Sequence, residues 1–384
     1  MDEEFPVKEL WRKLAHRHFR RNSDSPQVTM APSENTALRT WLINLSKDPS
    51  WQAPFMKEPF KKWKMHACTC SHKAGPKMWV LCEKDDVHRT STFVSNTLIP
   101  LMRDMVSLLI HTGVPASVFQ GSEVVFVAIR FPLRMLPTKH GQPVKPENIN
   151  GGLSYQNRRV LVYRVQDAAK VMVHELLHLA GLDDSLRTGH AWSPVNDAQN
   201  AIAQRYGVES NSHPLGLNES YTEILACYLH TLWWAAKEET LQRSGSKDSR
   251  LSNSGSINSS PKQSTRRINA EDDALSKMAF HIQTVARRVW RHHTDSSGRV
   301  SWVERTHCFS YVACRAAIWT SPFLLRFLEM YPPGKTPQDP HAYARLMIEA
   351  MDVWLSKNKR FITKNLPAFG TSVRGGSLKM SCFS

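Results

Sequence analysis

The stretch Val171-Met172-Val173-His174-Glu175-Leu176-Leu177-His178-Leu179-Ala180 decides how the rest of the chain is read. Its polar members, His174, Glu175 and His178, stand among Val, Met, Leu and Ala, which predicts a helix buried over most of its surface and stopped by Gly181. Residues four apart on a helix share a face, so the two imidazoles can bind one metal ion. Glu175 is turned about 100° from His174 around the helix axis, out of line as an equal ligand but able to reach a water on the metal. Buried without such a purpose, two histidines and a carboxylate would each need hydrogen-bond partners in an apolar setting. Just upstream, residues 158–165 (RRVLVYRV) alternate at Val160 and Val162 as a strand does. The order is a strand, then a helix over 166–182.

A catalytic zinc takes three protein ligands and keeps one position open. Two downstream residues compete for the third place. Asp184 completes HExxHxxGxxD from His174, which resembles the metzincin consensus with Asp in place of its last His, and Gly181 permits the sharp turn. Metzincins carry a methionine turn beneath the metal, whereas no methionine occurs here between Met172 and Met278. The other candidate is Glu219, in Asn218-Glu219-Ser220-Tyr221-Thr222-Glu223. HExxH followed by this NExxxE pattern resembles the gluzincins, the thermolysin-like zincins, over about residues 158–230.

The resemblance implies Zn²⁺ held by His174, His178 and Glu219, with Glu175 as general base. Glu223, one turn beyond Glu219, becomes the carboxylate that hydrogen-bonds a ligand histidine, a partner that metal-bound imidazoles generally have. Forty residues separate His178 from Glu219, more than in thermolysin. The resemblance also implies an edge strand antiparallel to a bound peptide, for which residues 158–165 and 123–131 both qualify. An oxyanion-stabilising donor is expected too, with Tyr221, His190, His213, His230, His307 and Tyr311 all open.

The fold expected is α+β: a small, zincin-like mixed sheet packed on the metal-binding helix, with a mostly helical C-terminal part. Residues 1–60 read as a basic helical arm, in which Leu10, Trp11, Leu14 and Phe19 recur at helical spacing and residues 36–46 form a further helix. Residues 61–243 are the catalytic core, with a helix over 94–113, a strand over 123–131, a loop over 132–157 and a long helix from 218 to about 242. Residues 244–270 are a serine-rich flexible insert, 271–368 a helical subdomain with helices over 272–291, 308–331 and 342–359, and 369–384 a loose tail.

Hydrophobic residues at 41 % and charged ones at 22 % exclude whole-chain disorder and collagen-like repeats. A formal charge of +16 favours polyanionic contacts: nucleic acid, an acidic protein tail or a substrate with acidic segments. No run of about 18 apolar residues suggests a transmembrane helix, and no signal peptide is seen, so an intracellular setting, cytoplasmic or nuclear, is expected. Seven scattered cysteines suit a reducing compartment. His66, Cys68, Cys70, His72 and Cys82 are dense enough to hold a second, structural zinc, although the C-x-C spacing is tighter than that of zinc fingers.

The function expected is a zinc metallopeptidase acting on a protein or peptide, with acid weakening it by protonating the ligand histidines. The alternative is a nonenzymatic basic protein that binds nucleic acid or a protein partner around a structural zinc. A zinc hydrolase of a non-peptide bond is a third reading.

Overall fold

Period-two alternation along the central strands sends side chains to opposite faces of one mixed sheet, and each face buries different partners. The computed structural model describes residue 19 and residues 29–47, 63–69, 75–128, 136–137, 142–155, 158–187, 194–209, 215–248, 262–295, 297, 300, 302–303, 306–332 and 335–363. The strands are β1 Thr29–Pro32, β2 Lys64–Thr69, β3 Lys77–Cys82, β4 Glu123–Val127, β5 Gly152–Tyr155 and β6 Arg159–Tyr163, in the order β1-β2-β3-β4-β6-β5. Pairing is parallel from β3 through β4 to β6 and antiparallel elsewhere. A further pair, β7 Val208–Glu209 and β8 Trp302–Val303, lies apart from this sheet.

The helices are α1 Thr36–Lys47, α2 Lys84–His111, α3 Pro146–Ile149, α4 Ala168–Leu179, α5 Pro194–Tyr206, α6 Leu217–Asp248, α7 Lys262–His292, α8 Arg315–Ile318, α9 Phe323–Met330 and α10 Pro340–Thr363. Val80, Phe126, Val160 and Val162 on one sheet face join the apolar cluster of α2 and α4, which continues into α6, α7, α8 and α10. Trp79, Leu81, Val125, Leu161 and Tyr163 on the other face pack with Leu38 and Leu42 of α1. The parallel centre is therefore covered on both sides, as parallel strands require. The α+β class and the helical C-terminal part agree with the sequence reading.

Several elements differ from it. Strand β1 lies within the expected arm, and β2 and β3 lie where no strand was expected; β3 pairs with β4, and β2 and β1 add to it in turn. Of the two candidate edge strands, residues 123–131 supply the central β4 and residues 158–165 supply β6, one place in from the edge. The free edge beside α4 is β5, in a stretch read as loop, because Gly151 and Gly152 look like turn residues. The expected insert over 244–270 is shortened: α6 continues to Asp248 and α7 already begins at Lys262. Ala274, Met278 and Ile282 anchor α7 in the core, and a helix once nucleated extends through Lys, Gln and Arg at little cost. The helix expected over 308–331 is broken at Pro322, which has no N–H to give the preceding turn. Most of the expected N-terminal arm, the centre of the insert and the C-terminal tail lie outside the described residues.

Helix α2 is long and apolar enough to cross a membrane, by length and composition alone, and about half of its most apolar window (56 %) is buried in the core. The five described cysteines, Cys68, Cys82, Cys227, Cys308 and Cys314, are buried free thiols. Burial pushes the Cys68 thiol up to about 12 and that of Cys82 up to about 11, so both are protonated at neutral pH. Among the described residues, His66, Cys68 and Cys82 do not converge as a metal-ligand cluster; Cys70 and His72 lie outside them.

His230, fully buried on α6, has its pKa lowered to about 3 by burial and then by the charge of Lys170. An unfolded chain protonates this ring below about pH 6.5 while the folded chain does not, so stability is complete above that pH and falls as pH drops toward the folded value. Between pH 6.5 and 5, urea unfolding should show wild type losing about 1.4 kcal/mol per pH unit more than His230→Gln. Equal slopes would remove His230 as the cause.

Candidate metal centre

The HExxH motif sits on α4, and every residue of that helix is buried. Gly181 ends it at φ +70°, with Gly181 N–H donating to the His178 carbonyl (3.0 Å) and Leu182 N–H to that of Leu177 (3.3 Å). This pair of bonds is a Schellman motif, which needs a residue tolerant of left-handed backbone. The turn carries Asp183 under the helix end and leaves Asp184 outside. Asp183 is fully buried, with Oδ2 2.8 Å from His178 Nδ1, whereas Asp184 is 55 % exposed and pairs with Arg187 at 3.3 Å. The structure thus places Asp184 away from the two histidines, and its neighbour Asp183 against one of them.

Helix α6 crosses α4 and brings Glu219 to the same point. His174 Nε2 and His178 Nε2 are 3.0 Å apart, and Glu219 Oε2 lies 3.3 Å and 3.2 Å from them. Among the described residues these three are the group whose ligand atoms all lie within 4.8 Å of one another, a separation one ion could bridge. Tyr311 donates to Glu219 Oε2 at 3.0 Å, and Asn218 Nδ2 donates to Glu219 Oε1 at 3.2 Å. Burial pushes the Glu219 carboxyl up, but His178 and His174 outweigh it and hold it well below the usual range.

Glu223 stands behind His174, with Oε2 3.0 Å from Nδ1. The same carboxylate takes Lys170 Nζ at 2.5 Å and Arg315 Nη1 at 2.5 Å, and all three side chains are buried. Burial opposes its ionisation, yet the charges of Lys170 and Arg315 hold its pKa far below that of a free glutamate. Both histidines are therefore backed at Nδ1 by an ionised carboxylate, which can only accept, and Nε2 is turned toward the shared point.

Glu175 lies one residue from His174 on the cavity wall. Ser154 Oγ on β5 donates to its Oε2 at 2.7 Å. Burial raises its pKa and the two histidines pull it down; the net result is upward. Gly152 is what lets β5 come this close. A Cβ there would fall 2.5 Å from Val171 Cγ1 and 2.6 Å from Glu175 Oε1, well inside contact distance. Arg164, at φ +77°, turns the chain between β6 and α4, and its Nε donates to the Asn150 carbonyl (2.9 Å) beside the start of β5.

A cavity of about 430 Å³ opens over these groups, bounded by β5 on one side and by residues of α5, α6 and the segment around His307 on the other. Of the candidate oxyanion donors, Tyr311 and His307 line it. Tyr221 lies in an aromatic cluster with Phe327, Tyr331 and Tyr343, and His230 lies deep on α6. His190 and His213 fall outside the described residues.

Asp183, Lys170, Arg315, Ser154, Arg187 and Gln199 were not singled out from sequence. Lys170 had a visible signal, a cation one turn before His174 in an otherwise apolar helix; Arg315 had none, since only folding brings it to Glu223. No family model, curated protein or solved structure matches this chain.

Removing one cation from the buried Glu223 cluster leaves the remaining charges unbalanced. Arg315→Met should lower unfolding free energy by on the order of 3 kcal/mol, and Arg315→Lys should recover part of the loss, both read by urea denaturation.

Proposed function

We propose that the chain is a zinc-dependent peptidase of zincin type, with His174, His178 and Glu219 as metal ligands. One observation carries this reading: three ligand atoms meet at one point, each held by a further hydrogen bond or ion pair, with a fourth side chain, the carboxyl of Glu175, beside them in an open cavity. The donor set, two imidazoles and a carboxylate, is one that zinc takes in catalytic sites, and such a zinc supplies Lewis acidity to a carbonyl and a lowered pKa to water.

The chain's own groups would divide the remaining work. Glu175 Oε takes a proton from the attacking water and returns it to the departing amine nitrogen. Ser154 fixes the rotamer of Glu175 through its hydrogen bond. Among the described residues no strand pairs with the outer edge of β5, whose backbone groups would take an extended peptide across the cavity by strand addition. His307, in the cavity lining, would donate to the oxygen that gains charge, and Tyr311 would join it on releasing its hydrogen bond to Glu219. The net charge of +16 supports substrates with acidic segments or action beside a polyanion.

Elemental mass spectrometry of the purified protein tests the ligand set. Wild type should carry about one zinc, lost in His178→Ala and Glu219→Ala but kept in Asp184→Ala. Asp183→Asn should weaken zinc affinity by about 10- to 100-fold. Well-folded wild type that takes up no zinc when supplied would end the peptidase reading and favour the nonenzymatic basic binder.

Hydrolysis of a peptide library tests the chemistry. Glu175→Gln should keep the zinc and reduce kcat by on the order of 10²- to 10⁴-fold. Gly152→Ala, which presses on Glu175 rather than on the ligands, should also keep zinc while losing activity.

A further inference from the structure

The cavity lining holds two hydrogen-bonding groups that the proposed reaction does not use. Gln199, on α5, is only 2 % exposed and lines the cavity, yet its Oε1 has no hydrogen-bond partner among the described residues. A buried carboxamide oxygen left in this way costs about 1–3 kcal/mol unless a bound molecule or water completes it. Arg187 lines the same cavity. Its Nε and Nη2 are taken by Asp183, and Nη2 also points to the His178 carbonyl, while Nη1 makes no hydrogen bond among the described residues.

We infer that Gln199 and Arg187 form a specificity pocket for a substrate side chain ending in a planar acyl group, the carboxamide of Asn or Gln or the carboxylate of Asp or Glu. The inference rests on the peptidase reading for its substrate, a peptide laid along β5. A carboxamide brings an N–H for Gln199 Oε1 and a carbonyl for Arg187 Nη1. A carboxylate brings acceptors for Arg187 and, after rotation of the Gln199 amide, for its Nε2; the two amide orientations have the same shape. An aliphatic side chain would leave the buried Gln199 Oε1 without a partner, and a site built for hydrogen bonds rejects such a ligand more strongly than an apolar pocket rejects a polar one. A lysine side chain could donate to Gln199 Oε1 but brings no acceptor for Arg187, so it completes only half of the pocket.

The test is binding, with cleavage measured separately. Fluorescein-labelled alanine heptapeptides carrying one Gln, Glu, Leu or Lys at each position in turn are titrated into the zinc-supplied Glu175→Gln protein by fluorescence polarisation. At one position, Gln or Glu should bind about 10- to 100-fold more tightly than Leu or Lys, and Gln199→Leu should abolish that step; the Gln and Glu arms decide between carboxamide and carboxylate. Equal affinities at every position, or no binding at all, would overturn the inference. So would a preference for Glu spread over all positions and kept in Gln199→Leu, which would mark only the basic surface. Cleavage of the same peptides by wild type without side-chain preference would leave the peptidase reading standing and remove the pocket. A positional preference in binding without cleavage would do the reverse.

Discussion

A single buried negative charge organises the centre of this molecule. Glu223 is fully buried on α6, and no carboxylate stays ionised there without close cations. Lys170 from α4 and Arg315 from α8 supply them, and His174 completes the cluster at its Nδ1. Three elements distant in the sequence are thus tied to one carboxylate. The crossing of α4 over α6 that results is also what brings Glu219 to His174 and His178. Orientation of the imidazoles and packing of the helical half are consequences of the same ion cluster, so a change that loosens one should loosen the other.

The second constraint is the distance between β5 and α4. A strand edge can work beside a helix only if nothing projects between them, and Gly152 meets this by having no side chain. Ser154, two residues on and so on the same strand face, uses the short distance to hold Glu175. The same alternation splits the sheet core, with Leu161 and Tyr163 facing α1 and Val160 and Val162 facing α4. Strand periodicity therefore serves both the site and the core.

Much of the proposed centre was legible before folding. His174, Glu175 and His178 declare themselves through spacing within an apolar helix, whereas Glu219 and Glu223 were marked by the resemblance that Asn218–Glu223 carries. Asp183 was overlooked in favour of Asp184, because a consensus counts positions while the Schellman turn at Gly181 decides which of two adjacent aspartates points inward. Residues 158–165 and 123–131 both read as candidate edge strands because those have the stronger β patterns. A strong, two-sided apolar pattern is what an interior strand has; an edge strand such as β5 buries less and reads as loop.

The sequence by itself determined what is local: the helical run that sets two imidazoles on one face, the glycine that ends it, the acidic start of α6 and the strand-then-helix order that carries the motif. These follow from backbone periodicity and residue sterics over a few neighbouring positions. Only the tertiary structure decided which carboxylate stands behind which histidine, that Arg315 and Lys170 neutralise Glu223, that β5 forms the edge, and that Gln199 and Arg187 face one cavity. Lys170 and Arg315 stand 53 and 92 positions from Glu223. Such partners are selected by burial and charge balance in the packed core, which no local spacing encodes.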